Sequence, residues 1–198
     1  LNFPDLGVDG TFPLGAAVTV ALITRGWNPW AALLASIASG LAAGCLTGLL
    51  NVKLKISPLL SGIIVMTCLW SVNLVIAGRS NLPLFGMETI FNNGPATLIP
   101  ESLGGFQLRT LIVSFLVVTL LKLGMDGWLG TRSGLLLRAV GDNQQIVVAV
   151  ARDPGRVRVV GIALANGLVA LSGGIVAQQQ GFFEISMGTG QMVAGLAS

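Results

Sequence analysis

The chain has 198 residues, of which 10% are charged and 53% hydrophobic, with a formal net charge of +3 and a mean hydropathy of +0.83. A soluble domain carries roughly 25% charged residues, so these values exclude a disordered chain and a nucleic-acid-binding module and argue against any water-soluble fold. The chain has no His and no Tyr. That removes imidazole catalysis and His-ligated metal, and neither a Walker-type nor a G-x-G-x-x-G phosphate motif is present. The 27 glycines suit membrane helices, where Gly lets backbones approach. The expected class is an all-α, polytopic transmembrane helical bundle.

A span needs about 20 mostly apolar residues. In chain order the uncharged runs predict spans at about 10–24, 30–50, 56–78, 106–125 and 159–183, and an incomplete one at 185–198. With Leu1 at one end and an unfinished apolar run at the other, the sequence reads as an internal fragment of a longer chain. Ahead of the first span, Asp5-Leu6-Gly7-Val8-Asp9 lies among Pro4, Gly10 and Pro13, which predicts a broken or re-entrant N-terminal segment. Carboxylates at membrane depth are functional candidates, so Asp5 and Asp9 are candidate walls of a solute path. A place in a surface loop is the alternative.

The second span carries Ser36, Gly40, Gly44 and Gly48 four residues apart, hence on one helix face. This smooth ridge is expected to pack against another helix rather than line a substrate groove. Cys45 and Cys68 sit inside apolar runs and are expected to be buried packing residues. Asn73 in the third span, and Asn166, Ser172, Gln178 and Gln180 in the fifth, bond neighbouring helices or, as a set, wall a polar path.

The segment 79–107 is rich in Pro, Gly and Asn. It is either a connector or a docking surface, and composition favours the connector. The segment 126–158 reads as a loop with two short helices. The first covers Ser133–Val140 and includes Arg138. A break follows at Gly141-Asp142-Asn143 with good capping residues. The second, Gln144–Ala151, presents Ile146 and Val147. Such a helix either rests on the membrane surface or enters a partner's groove.

Eight Lys and Arg fall in 53–55 and 122–158, against three in 25, 79 and 109. The positive-inside rule then puts 51–55 and 122–158 in the cytoplasm. The eight carboxylates form no catalytic constellation with a Ser or Cys, so no catalytic residue, metal site or cofactor is expected.

Four stretches, LNFPDLGVDGTFPLGAAVTVALI from Leu1, KLKISPLLSGIIVMT from Lys53, LRAVGDN from Leu137 and GIALANGLVALSGGIVAQQQGF from Gly161, resemble one family. It is the inner-membrane permease of ABC importers of the branched-chain amino acid and ribose type, most like its tryptophan/tyrosine-type branch. The resemblance implies a multi-pass bacterial inner-membrane subunit in the lipid bilayer. It implies cytoplasmic ABC ATPase subunits, an extracytoplasmic solute-binding protein and a second permease copy, as a homodimer. The solute would be small, such as tryptophan or tyrosine, and ATP hydrolysis would belong to the partner. Arg138, Gly141, Asp142, Asn143, Ile146 and Val147 correspond to the region that couples to the ATPase, and residues 4–13 to an irregular segment beside the path. The sequence departs from the family pattern at Ala151, where Gly is frequent, and at Arg152-Asp153-Pro154-Gly155. The alternative is a secondary transporter or channel subunit, although spans 30–50, 56–78 and 159–183 contain no Asp, Glu, Lys or Arg.

Overall fold

The computed structural model describes residues 5–93, 108–142 and 154–190, with the backbone alone at Gly141, Asp142 and Pro154. Six helices account for most of it: α1 (Val8–Thr24), α2 (Pro29–Lys53), α3 (Pro58–Ala77), α4 (Leu108–Leu129), α5 (Arg132–Asp142) and α6 (Pro154–Gln180). Two three-residue strands, β1 (Asn81–Pro83) and β2 (Phe182–Glu184), and a 3-10 turn at Ile185–Gly188 complete it. Helices α2, α3, α4 and α6 are each long and apolar enough to cross a membrane. At 1.5 Å per residue they run about 30 to 40 Å.

Helix α1 is only 17 residues long and lies in the middle. It packs against α2, α3 and α6, and most of its residues are buried, including Phe12, Leu14, Ala16, Ala17 and Val20. The sequence predicted a broken segment here. The helix instead runs without interruption from Val8 through Pro13 to Thr24. Pro13 has no N–H, so the Asp9 carbonyl loses its intrahelical donor, and Gly188 of the 3-10 turn sits directly against that carbonyl. The turn thus docks on α1 where the helix backbone is open.

The connections are set by local chemistry. Asn28 caps α2 by accepting a bond from the Trp30 N–H at 2.9 Å, with Pro29 at the first helical position. Ser57 and Pro58 start α3 in the same way. Gly78 ends α3 with φ 72°, and Gly181 follows α6 with φ 77°, left-handed conformations that favour Gly. Asn51 Nδ2 donates to the Ile56 carbonyl at 2.8 Å and closes the tight α2–α3 turn.

These turns alternate between two ends of the bundle. Lys55 and Arg158 meet in one pocket at one end. At the other, β1 pairs antiparallel with β2, Asn81 opposite Glu184 and Pro83 opposite Phe182. The segment 79–107 was expected to be a connector. Its described part is instead built into the bundle: Leu84, Ile90 and Phe91 are buried, against α1, α6 and α4.

Cys45 and Cys68 are both exposed, contrary to the sequence expectation. Each adjoins a packed position, Cys45 just after Gly44 and Cys68 just before Leu69. The buried face of α2 contains Gly44, and that of α3 contains Val65 and Leu69. A step of one residue turns a side chain by about 100°, away from the neighbour.

Candidate functional site

The interface of α2 with α6 is antiparallel and closely packed. A Cβ built on Gly40 would lie 2.5 Å from the Ala170 Cβ, and one on Gly44 2.6 Å from the Ala163 Cα. On Gly48 it would lie 3.0 Å from the Val159 Cα. Ser36, the fourth member of the row, donates to the Ala170 carbonyl at 2.7 Å. On α1 and α6, Gly15 and Gly173 leave room only for the Ala170 and Phe12 carbonyls. Helix α6 is therefore locked into the groove between α1 and α2, backbone against backbone.

Within this packing lies a buried polar cluster. Asn166 Nδ2 donates to Asp5 Oδ2 at 2.8 Å and to the Ile162 carbonyl at 3.0 Å. Its Oδ1 accepts the Thr11 hydroxyl at 2.7 Å. Asp5 Oδ1 accepts the Gly7 N–H at 2.8 Å, satisfying a donor just ahead of the first turn of α1. On α3, Asn73 Nδ2 donates to the Gly10 carbonyl at 3.1 Å, and Asn73 Oδ1 is buried without a partner. The structure brings Asp5, Thr11 and Asn166 together and sets Asn73 against the neighbouring Gly10 carbonyl of α1.

Asp9 is not in this cluster. Its Oδ2 accepts a long bond from the Gly190 N–H at 3.4 Å, so it faces the segment after the 3-10 turn. Gln178 lies at the β1–β2 end, buried to 3% exposure. Its Oε1 accepts the Ile90 N–H at 2.9 Å, while Nε2 is buried without a partner. It lines a cleft of about 690 Å³ with Phe85, Phe91, Asn92, Arg109 and Gln179. Gln180 is exposed next to it. The bond from Ile90 has no signature in the sequence, because its acceptor lies 88 residues away.

At the opposite end, Arg138 is on α5, which runs on through Gly141 and Asp142. The break expected at Gly141 is therefore not there, since the helix continues past it. Asn143, Ile146 and Val147 lie outside the described residues. Among the described residues, no group of three His, Cys, Asp or Glu side chains is placed to hold a metal ion.

Comparison with known proteins bears on this arrangement. The profile of the family described as branched-chain amino acid transport system / permease component matches residues 1–198. The chain is 38% identical to a tyrosine transport system permease protein of Clostridioides difficile, over all of this chain and 63% of that protein. It is 34% identical to an uncharacterized protein of Rickettsia prowazekii, over all of this chain and 66% of that one. A fructose import permease protein of Bifidobacterium longum is 26% identical over 85% of this chain and 46% of its own length. The chain thus spans less than two thirds of the length of these relatives. No solved structure matches it.

Proposed function

The chain belongs to the family of branched-chain amino acid transport system permease components, a multi-pass membrane protein of the bacterial inner membrane, and from that premise we propose that it forms the translocation path of an ATP-driven importer. The solute is a small molecule, an amino acid of the tyrosine or tryptophan kind. The observation that carries this reading is the match of all of this chain to 63% of the tyrosine transport system permease. Two copies of the permease, a pair of cytoplasmic ATPases and an extracytoplasmic solute-binding protein complete the assembly.

In this reading the Lys55 and Arg158 end faces the cytoplasm, in keeping with its excess of Lys and Arg. The β1–β2 end faces outward and receives the binding protein. Helices α1, α2 and α6 move as one block, because bulk cannot slip between glycines in backbone contact. Helix α3 packs on another face of α1, and Asn73 between them keeps an unmet acceptor that a polar solute or water can use. Asp5, Asp9, Asn166, Gln178 and Gln180 are assigned to the walls of the path or to the groups that hold those walls. The loop around Arg138, Gly141, Asp142, Asn143, Ile146 and Val147 transmits ATPase closure to α5 and α6.

The test is uptake. Full-length permease with its ATPase and binding protein in proteoliposomes is expected to accumulate labelled tyrosine or tryptophan only when ATP is inside. Accumulation without ATP, driven by an ion gradient, would replace this reading with a secondary transporter.

A further inference from the structure

The α2–α3 turn and the start of α6 enclose a second pocket, of about 440 Å³, whose walls include Asn51, Lys55, Ser57, Gly155 and Arg158. Among the described residues that line it, two are cationic and none is a carboxylate. Arg158 is half-buried, so its guanidinium is partly withdrawn from water. Lys55 has φ 55° and is the one non-glycine residue with positive φ among the described residues. L side chains rarely adopt that conformation, and such a residue persists only when its surroundings impose it. Here the bond from Asn51 to the Ile56 carbonyl spans the turn and holds Lys55 in place.

We propose that this pocket binds the headgroup of an anionic phospholipid of the glycerol phosphate type. The phosphate lies between Lys55 and Arg158, and the Ser57 hydroxyl donates to it. Ser57 Oγ already accepts the Leu60 N–H at 3.4 Å, so its own proton is free to be given. Asn51 lines the same pocket, and its Oδ1 is buried and has no partner. A phosphate oxygen cannot satisfy an acceptor, whereas a headgroup hydroxyl can. Beside the cations, Leu54, Leu59 and Leu60 are 63%, 49% and 50% exposed, and they give the acyl chains a surface. Basic pockets between membrane helices take anionic headgroups for the same electrostatic reason. A free phosphate would use the cations and leave both the leucines and Asn51 Oδ1 unmet.

The experiment is native mass spectrometry of full-length permease titrated with phosphatidylglycerol, phosphatidylethanolamine or phosphatidylcholine. Wild type is expected to retain phosphatidylglycerol about tenfold better than the other two, from two cations near the surface. The double variant Lys55→Gln with Arg158→Gln should lose that preference, and Arg158→Lys and Lys53→Gln should keep it. Millimolar inorganic phosphate should not displace the lipid. An undiminished preference in the double variant, equal loss in Lys53→Gln, or displacement by inorganic phosphate would each overturn the proposal. So would a double variant that retains lipid but no longer copurifies with the ATPase, since the pocket would then belong to an acidic side chain of that partner.

Discussion

Asn166 and Asp5 are joined by a 2.8 Å hydrogen bond across the contact of α6 with the start of α1. Asn166 spends its oxygen on Thr11 and its amide on Asp5 and Ile162, so one side chain fixes the register of two helices 155 residues apart in sequence.

This pairing is directional, which makes it testable by exchange. Asn166→Asp would set two carboxylates against each other and remove the donor. We expect it to lower the stability of full-length permease by about 1–3 kcal/mol, the usual cost of leaving a buried polar group unpaired. Adding Asp5→Asn should restore most of the loss, because an Asn at position 5 can donate to an Asp at position 166 and still accept from the Gly7 N–H. Thermal unfolding in detergent measures both, and no recovery in the double variant would contradict a specific bond.

The glycine row makes a second prediction. Gly40→Ala should destabilise by about 1–3 kcal/mol, the cost of forcing atoms into a packed site. The atoms it would meet are the Ala170 Cβ and the Asn166 backbone, which have little freedom to move. Gly124→Ala on α4, where nothing lies within 4 Å, should be neutral or stabilising by up to about 1 kcal/mol through helix propensity. Equal melting temperatures for the two variants would show that the row is not tightly packed.

Gln178 supplies a third. Gln178→Leu strips the acceptor from the buried Ile90 N–H and should loosen the segment 84–91. Gln178→Glu keeps an oxygen in that place and should not. Limited proteolysis between β1 and α4 reads the difference, with cleavage expected several-fold faster in the Leu variant. The same rate in both would remove Gln178 as the anchor of that segment.

The helices were legible in the sequence from their long uncharged runs, and the α2 ridge from its local spacing. The 3.6-residue repeat places Ser36, Gly40, Gly44 and Gly48 on one face whatever they meet. What was not legible depends on partners far along the chain. The β1–β2 ladder joins residues about 100 apart and only three residues long, too short for an alternation pattern. The Gly and Pro around Asp5 and Asp9 suggested a broken helix. Tertiary contact overrode them, since the backbone group that Pro13 frees is covered by Gly188. The cysteines were placed inside on polarity alone, yet in a bundle whose outer face is apolar, hydrophobicity no longer tells inside from outside.

The exposure of Cys45 and Cys68 also governs how orientation must be measured. Both need replacing before single cysteines are introduced as Asn93→Cys and Gln144→Cys. The excess of Lys and Arg beside 51–55 and 122–158 predicts that an impermeant thiol reagent added outside intact cells labels position 93 and not 144. Labelling of 144 from outside would invert the topology and detach 133–151 from any cytoplasmic ATPase.

With 133–151 on the cytoplasmic side, the coupling assignment can be tested at Asp142 and Asn143. Helix α5 carries Arg138 and continues through Gly141 to Asp142, and its first turns, with Arg132, Ser133, Leu136 and Leu137, share a pocket with Arg156, Val157 and Val160 at the start of α6. A partner gripping this segment has a rigid lever into α6, whose glycines bind it to α1 and α2. Replacing two of the polar residues assigned to coupling, Asp142→Ala with Asn143→Ala, should uncouple motion from ATPase closure without disturbing the bundle. The expected result is normal melting temperature, weaker ATPase copurification and at least a several-fold drop in hydrolysis stimulated by loaded binding protein. Ile146→Asp should do the same by placing a charge on an apolar contact. Normal copurification and stimulation in both variants would move the coupling contact elsewhere, and the exposed α2–α3 turn around Lys55 would be the next surface to probe.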